Sequence, residues 1–504
     1  LKSSFGSIGA WYEQLLAHGY YVHSPFIMLS LLFGTQRREC TAIRIRGSFM
    51  LFGSVLFPAA VVAAPAEKSA VLTDSGDRHN GQELPSLVVA MLARDEEILL
   101  RRHLPEWRLL GDCFVLGIDD RTVDDSQLAA QELLAPKPVD VFRFAFEGFG
   151  PAKSALLKRA HERFPSFEYV ILVEPDMKPI PETFDRTVLL SRELVYAVRR
   201  SGKQSLGLRL ADSIFRNNGR WYFKFRVHET PIYGRGPDTQ VVPNKALDSG
   251  WSVVELQGST RDGQARVVRV RDELGLVDLD RKDFPGHPRL LYYAGTLRYE
   301  LAAELRGSAA GVASAPELQR LGREAVKLLG RRARDPGDDE ASSRDELSQQ
   351  RTAAAYYCAR AYKDLLGDEQ RAEKWYRKAV RLEPSFLYAH VGLMHLLLGT
   401  QRYVEALEVG LQAEAAERPG LRLFMDSGPL HDCDVPLLIS KALYYCYVSP
   451  QLRPQALDTA AWQRRRTLLE TCLERCPDVA GDAAPRKLSD IRQLQQFWAS
   501  EGLG

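Results

Sequence analysis

Two carboxylates stand two residues apart at the end of an apolar run. Residues 170–173 are Val-Ile-Leu-Val, and Glu174, Pro175 and Asp176 follow them directly. A carboxylate next to a dry core is costly unless it is paired, so these side chains need partners. Their chemistry predicts a divalent metal ion, a Lys or Arg, or water at the surface. Residues 118–126 (IDDRTVDDS) form a second acidic segment at the end of another apolar run.

Predicted strands and helices alternate around both acidic segments. Apolar runs predict strands at 87–92, 113–119, 139–146 and 169–176, and periodic segments predict helices at 94–111, 124–135 and 151–164. This alternation is typical of βαβ units and a mostly parallel sheet. Ligands of such sheets bind outside the carboxyl ends of the strands, where both acidic segments would lie. The sequence therefore predicts that a cation or a donor-rich ligand lies between them, with Mg²⁺ or Mn²⁺ bridging phosphate oxygens.

The order of these motifs resembles the nucleotide-sugar half of a family 2 glycosyltransferase with the GT-A fold, over residues 86–235. Ala93-Arg94-Asp95-Glu96-Glu97 resembles the family's Ala-Arg-Asn-Glu-Glu, and Asp119, Asp124 and Ser126 resemble its second acidic motif. Lys153-Ser154 resembles its Arg-Asn, and Glu174-Pro175-Asp176 resembles its metal-binding Asp-x-Asp. Residues 208–231 resemble a segment of the family that ends in Val-His-Glu. The sequence departs from the family at Asp95, Lys153 and Glu174. Glu174 has one methylene more than Asp, which shifts its carboxylate relative to a metal or ribose.

The resemblance implies metal-dependent transfer of a sugar from a nucleotide-diphosphate sugar, with Mn²⁺ or Mg²⁺ as the cofactor. The implied nucleotide-sugar contacts are Asp95, Glu96, Asp119, Asp124, Lys153, Glu174 and Arg216, and the implied metal contacts are Asp176, His228 and Glu174. A general base should deprotonate the acceptor hydroxyl or thiol. Glu229 is the first candidate for that catalytic role and Asp212 is the second.

Structural roles are the alternative for several of these residues. Glu96 and Glu97 could complement a helix dipole. Asp119 could form a turn, and Asp124 could cap a helix. His228 could be a structural histidine. The corresponding alternatives for the whole protein are a catalytically inactive scaffold or binding protein, and a nucleotidyltransferase that uses the same acidic strand ends.

Helical periodicity replaces the strands after about residue 285. Ala372 and Ala406 are 34 residues apart, as are Ala379 and Ala413. Pro384 follows Ala379, at the end of the first repeat. This spacing of small residues resembles tetratricopeptide repeats (TPR), which usually hold peptides or partner proteins. The sequence also predicts an earlier helix at 287–305 and a capping pair at 439–477. A charged insertion near 330–350 is predicted to be disordered.

The expected fold class is an α/β GT-A domain followed by an all-α TPR-like domain. The predicted divisions are a leader and linker at 1–84, the GT-A domain at 85–270, the repeats at 285–480 and a tail at 481–504. The formal net charge of +2 over 504 residues gives no reason to expect nucleic acid as a partner. The seven cysteines have no zinc-site spacing.

An apolar segment at residues 44–66 bears on localisation. It has two arginines, an apolar run and a final Ala64-Pro65-Ala66, which is typical of a signal peptide or a short signal anchor. A buried apolar helix is the alternative. The segment predicts the secretory pathway or a membrane anchor, with membrane contact through this segment alone. Without that role, a cytoplasmic protein is expected.

Overall fold

The computed structural model describes residues 39–45, 48–54, 78–79, 82–202, 205–234, 240–241, 246–256, 266–307, 314–335, 344–417, 433–449, 451 and 492–497. Contacts divide the chain into two compact units, residues 1–74 and 75–504. In the first unit, β1 (Glu39–Ile45) and β2 (Ser48–Ser54) form an antiparallel hairpin. The apolar segment 44–66 is thus partly in strands, and its remainder lies outside the described residues. None of the helices in the described ranges is long and apolar enough to cross a membrane.

The second unit contains an eight-stranded mixed sheet, a smaller three-stranded sheet and a two-stranded antiparallel pair. In chain order its strands are β3 (Arg78–His79), β4 (Gln82–Glu83), β5 (Leu87–Ala93), β6 (Cys113–Asp119), β7 (Val139–Phe144), β8 (Tyr169–Val173), β9 (Met177–Pro179), β10 (Val195–Gly202), β11 (Ser205–Arg216), β12 (Trp221–Lys224), β13 (Thr230–Tyr233), β14 (Gln240–Val241) and β15 (Leu247–Glu255). The large sheet has the order β7-β6-β5-β8-β11-β10-β15-β9, β12-β13-β14 form the smaller sheet, and β3-β4 form the two-stranded pair. Strands β5 to β8 are parallel to one another, whereas β11 is antiparallel to both β8 and β10.

Three helices cover the parallel half of the large sheet. They are α1 (Glu97–Leu110), α2 (Ser126–Leu134) and α3 (Phe149–Arg163). α1 and α2 pack on one face of the sheet and α3 packs on the other, so that β5, β6 and β8 are buried on both faces. Burial on both faces explains why these strands are continuous apolar runs. The predicted βαβ series is confirmed, with element ends that differ by at most three residues.

Within the described ranges, the helices that follow the sheet between residues 266 and 448 form what we call the helical module. They are α4 (Arg266–Asp283), α5 (Pro288–Gly307), α6 (Ala315–Arg334), α7 (Arg344–Arg360), α8 (Glu369–Leu382), α9 (Leu387–Gly399), α10 (Tyr403–Ala415) and α11 (Val435–Val448). Consecutive helices among α4 to α10 pack on one another, and α11 packs on α10. The four alanines of the 34-residue spacing are fully buried in α8 and α10. The predicted helical repeat array is therefore confirmed.

Three boundaries differ from the sequence expectation. The helical module begins at Arg266, not near 285. The segment 330–350 is helical at both ends, because α6 continues to Arg334 and α7 begins at Arg344. Part of the tail, residues 492–497, is a helical turn whose Leu494 is buried in the core of the module. Of the predicted capping pair, α11 is observed, and residues 452–477 lie outside the described ranges.

Candidate functional site

The acidic strand ends lie at the reversal point of the sheet order. From β5 the chain proceeds through β6 to β7 on one side, and then returns to place β8 on the other side of β5. In open α/β sheets the crevice at such a point, outside the carboxyl ends of the strands, is the usual ligand site. Asp95 follows β5, Asp119 ends β6, and Glu174 and Asp176 follow β8. The structure thus places all four carboxylates at this edge.

Two of the predicted nucleotide-sugar residues hold the edge loops together. Asp95 has a positive φ of 53°, a backbone region in which Asp and Asn are enriched, and its Oδ1 accepts a hydrogen bond from Val123 N at 2.7 Å. Asp124 Oδ2 accepts from Glu97 N at 2.9 Å. Ser126 Oγ accepts a hydrogen bond from Glu96 N, also at 2.9 Å. Neighbouring loops therefore satisfy the N–H groups at the start of α1, which have no partner within the helix.

Asp119 is buried and paired with Arg121. The Arg121 guanidinium donates to both carboxylate oxygens, with Nη2 at 2.5 Å from Oδ2 and Nε at 2.9 Å from Oδ1, and it lies 4.8 Å from the centroid of the Phe146 ring. Burial alone would raise the pKa of Asp119, but the hydrogen bonds from Arg121 lower it below its usual value. Sequence reasoning missed Arg121, although it stands inside the quoted acidic segment. A nucleotide at this edge would meet an arginine as well as a carboxylate.

Lys153 supplies the positive charge beside the acidic end of β8. Its Nζ lies 2.5 Å from Oε1 of Glu229 and 3.9 Å from Oε1 of Glu174. The Lys153 side chain is 22% exposed and that of Glu229 is 14% exposed. The ring of Phe223 also lies near the ammonium group, at 5.9 Å. Of the partners predicted for Glu174, the structure thus contains a lysine.

Both members of the Lys153–Glu229 pair have shifted pKa values. Burial opposes charge on Lys153, yet Glu229 and Glu174 raise its pKa above the ordinary lysine value. Burial likewise opposes charge on Glu229, and the ammonium group of Lys153 lowers its pKa below the ordinary glutamate value. Both groups are therefore charged at neutral pH. Glu229 is ionised, as a general base must be, but the lowered pKa makes it a weaker base.

The shifts predict how stability depends on pH. The pair contributes its full stabilisation above the unfolded pKa of Glu229, about 4.5, and below that of Lys153, about 10.5. The contribution is lost as the pH falls through the lower folded pKa of Glu229, or rises through the higher folded pKa of Lys153. We expect the difference in unfolding free energy between wild type and Glu229→Gln to be constant from pH 6 to 9 and to shrink below pH 4. Urea unfolding at each pH measures it; a difference that grows on acidification would contradict the assignment.

The predicted three-ligand metal set is not assembled in the structure. No group of three His, Cys, Asp or Glu side chains that could hold a metal ion occurs in the described ranges. The His228 ring instead stacks on Tyr293, with centroids 3.8 Å apart, and its Nε2 lies 3.9 Å from Glu273. Two carboxylates with water and substrate phosphates are nevertheless a usual Mg²⁺ environment. Glu174 and Asp176, which both follow β8, are the two carboxylates that would supply such a donor set.

Arg216 lies at the wrong edge for the predicted nucleotide-sugar contact. Because β11 is antiparallel to β8, Arg216 pairs with Tyr169 at the amino end of β8. Its Nη1 donates to the carbonyl of Arg192 at 3.3 Å. Asp212 precedes it in β11, toward the carboxyl end of β8, and pairs with Ala197 of β10. The backbone therefore leaves Asp212, but not Arg216, on the side of the candidate site.

A second arginine near Lys153 was also missed. Arg200 Nη2 donates to Ser213 Oγ at 3.0 Å, and its Nη1 lies 3.7 Å from Glu255. Its charge lowers the pKa of Lys153, although less than the two glutamates raise it. The only sequence signal was an arginine pair within a strand-like run. The edge thus combines several acids with Arg121, Lys153 and Arg200.

Comparison with known proteins finds helical repeat proteins. No known family and no curated protein matches the sequence significantly. Similar solved structures include MamA (13% identity, 44% of this chain, 99% of that chain, TM-score 0.28), TTC0263, a TPR protein of Thermus thermophilus (17%, 45%, 92%, 0.26), and kinesin light chain TPR-like repeats from Podosopora anserina (18%, 42%, 97%, 0.21). At these TM-scores the likeness carries no argument. The repeat assignment rests on the helices and buried alanines described above.

Proposed function

We propose that the acidic edge binds a nucleotide-diphosphate sugar and that the protein is a glycosyltransferase of the family 2 type with a GT-A fold. The observation that carries the proposal is the convergence of Asp119, Glu174 and Asp176 at the reversal point of the sheet, with the largely buried Lys153–Glu229 pair beside them. Cationic side chains next to strand-end carboxylates suit a ligand that has both phosphates and hydroxyl groups. The motif resemblance described above supports the same class of ligand.

The chain's own residues divide the work of the proposed reaction. Arg121 and Lys153 orient the donor and offset its phosphate charge, while Asp119 accepts hydrogen bonds from hydroxyl groups. Glu229 receives the acceptor proton, with Asp212 as the second candidate for that role. A Mn²⁺ or Mg²⁺ ion bound by Glu174 and Asp176 would neutralise the charge that develops on the departing nucleoside diphosphate.

The helical module suggests the acceptor. Helical repeat arrays present extended surfaces that hold peptides or other proteins. A surface of this kind next to the sugar site raises the local concentration of an acceptor bound to it. We therefore propose a protein or peptide acceptor.

The test combines a donor panel with one variant and its control. Wild type, Asp176→Ala and Asp120→Ala are titrated with nucleotide sugars in Mn²⁺, and donor hydrolysis is measured. Asp120 is an exposed acid of the neighbouring segment and serves as the matched control. We expect wild type and Asp120→Ala to bind and slowly hydrolyse one donor, and Asp176→Ala to lose at least about tenfold in Mn²⁺-dependent affinity, or 1.4 kcal/mol.

The other outcomes separate the alternatives. Donor binding without hydrolysis or transfer would favour an inactive scaffold, and release of pyrophosphate from nucleoside triphosphates would favour a nucleotidyltransferase. No binding of any nucleotide sugar would contradict the proposal. Unchanged Mn²⁺ affinity in Asp176→Ala would remove the metal from this strand end.

A further inference from the structure

The segment that carries Glu229 is a strained turn. Residues 225–228 connect β12 to Glu229, and both Phe225 and His228 have positive φ values, of 72° and 53°. Side chains other than glycine rarely adopt this backbone region, and they keep it only where the surroundings hold them there. Two different parts of the protein hold this turn. We refer to residues 225–229 as the Glu229 turn.

On one side the Glu229 turn is fixed to the start of α3, the helix that carries Lys153. The N–H groups of Phe149 and Gly150 both donate to the carbonyl of Arg226, at 2.6 and 3.4 Å. A Cβ atom on Gly150 would lie 1.9 Å from the carbonyl oxygen of Phe225, so only glycine allows this approach. The start of α3 and the turn are therefore joined by direct backbone contacts, which place Glu229 against Lys153.

On the other side the same turn is held by the helical module. Asp280 of α4 accepts hydrogen bonds from Arg226 N at 2.7 Å and from Arg226 Nη1 at 2.8 Å, and its side chain is 1% exposed. Arg289 of α5 donates from Nε to the carbonyl of His228 at 3.0 Å. The His228 ring stacks on Tyr293, also of α5, with an interplanar angle of 7°.

We propose that Asp280 is a positioning residue: through Arg226 it fixes the Glu229 turn and thereby the geometry of the Lys153–Glu229 pair. The helical module would then be part of the site in addition to any role in holding an acceptor. The structural half of this inference stands on geometry alone, and its catalytic half rests on the proposed function. Asp280 is suited to the task because its two oxygens bind the backbone and the side chain of the same residue.

Asp283 provides a matched control in the same helix. Its Oδ2 lies 2.6 Å from the same Arg226 Nη1, but its side chain is 50% exposed, and it makes no hydrogen bond to the turn backbone that the structure records. An exposed ion pair of this kind contributes little. Asp280→Asn instead replaces one of two buried acceptor oxygens by an amide NH2 group, which cannot accept a hydrogen bond from Arg226. Asp280→Asn and Asp283→Asn should therefore differ sharply.

The first experiment reads the geometry without any donor. The full chain is treated with acetic anhydride, and the modification rates of individual lysines are followed by mass spectrometry. We expect Asp280→Asn to raise the rate at Lys153 by about tenfold, which corresponds to a loss of about 1.4 kcal/mol in the pairing that covers its ammonium group. The rate at the exposed Lys158 of the same helix should not change, and Asp283→Asn should leave both rates as in wild type. An unchanged Lys153 rate in folded Asp280→Asn would overturn the proposal.

A second variant protects the test against misfolding. If Asp280→Asn does not fold, Arg289→Gln removes the hydrogen bond to the His228 carbonyl and is expected to raise the Lys153 rate in the same direction. Lys153 protection that is unchanged in folded Arg289→Gln would then overturn the proposal.

The second experiment separates positioning from general stability by a double-variant cycle. If Asp280 acts through Glu229, the losses in turnover of Asp280→Asn and Glu229→Gln should be strongly non-additive, whereas independent structural effects add. Additive losses would overturn the catalytic half. Failure of every donor to react would refute the proposed function and leave the acetylation result standing.

Discussion

Lys153→Met is expected to abolish sugar transfer and to lower the unfolding free energy by about 3 kcal/mol or more, because it leaves the largely buried Glu229 carboxylate without its cation. Methionine has a similar length and no charge, so packing changes little. Unfolding in urea and donor turnover measure the two effects. Lys158→Met, at an exposed position of the same helix, is the matched control and should change stability by less than about 0.5 kcal/mol.

The double variant Lys153→Met/Glu229→Leu distinguishes the two effects of the first change. Replacing both members of a buried pair by apolar residues is often neutral for stability. We therefore expect the double variant to regain most of the lost stability while transfer stays absent. Equal stability of Lys153→Met and Lys158→Met would show that the Lys153–Glu229 pair is not formed. Sugar transfer by the double variant would show that the pair is not needed for catalysis.

Gly150→Ala is expected to damage the site from the backbone side. The new Cβ would lie 1.9 Å from the Phe225 carbonyl oxygen, and backbone atoms cannot give way as a flexible side chain can. We expect a loss of about 2 kcal/mol or more in unfolding free energy, as for other overpacked positions, together with loss of turnover because the Glu229 turn is displaced.

Gly275→Ala in α4 is the control for this change. Gly275 has open space within 4 Å of an added Cβ, so alanine should stabilise the helix by about 0.5–1 kcal/mol. Wild-type stability and turnover in Gly150→Ala would contradict the close approach of α3 to the Glu229 turn. Thermal unfolding and donor hydrolysis on the two alanine variants provide the comparison.

The parallel half of the sheet could be predicted because its signals are local. Strands β5, β6 and β8 are buried on both faces and therefore appear as uninterrupted apolar runs. The intervening helices indicate that these strands are parallel. Parallel strands have their carboxyl ends at one edge of the sheet, so the acidic residues that follow them were expected there. The reversal at β11 has no such local signal, which is why Arg216 was placed at the wrong edge.

The pairings inside the site could not be predicted, because they join distant parts of the chain. Lys153 and Glu229 are 76 residues apart, and Arg226 and Asp280 are 54 apart. The sequence predicted that Glu174 contacts a metal ion or the nucleotide sugar and that Glu229 accepts a proton. In the structure Lys153 lies near both glutamates. The charged composition of residues 330–350 predicted disorder. The structure instead buries the Arg332 side chain fully, near the end of α6.

The attachment of the Glu229 turn to α4 and α5 also fixes the order in which the site matures during synthesis. Lys153 leaves the ribosome well before Asp280 and Arg289, and at roughly 5–20 residues per second the interval is on the order of 10 s. For the first 76 residues of that interval Lys153 precedes its own partner. Until the interval ends, the turn that carries Glu229 lacks its contacts with α4 and α5. A nascent chain that has completed the parallel strands therefore still lacks part of the proposed site, which under the proposed role of Asp280 is complete only when the first two helices of the module have docked.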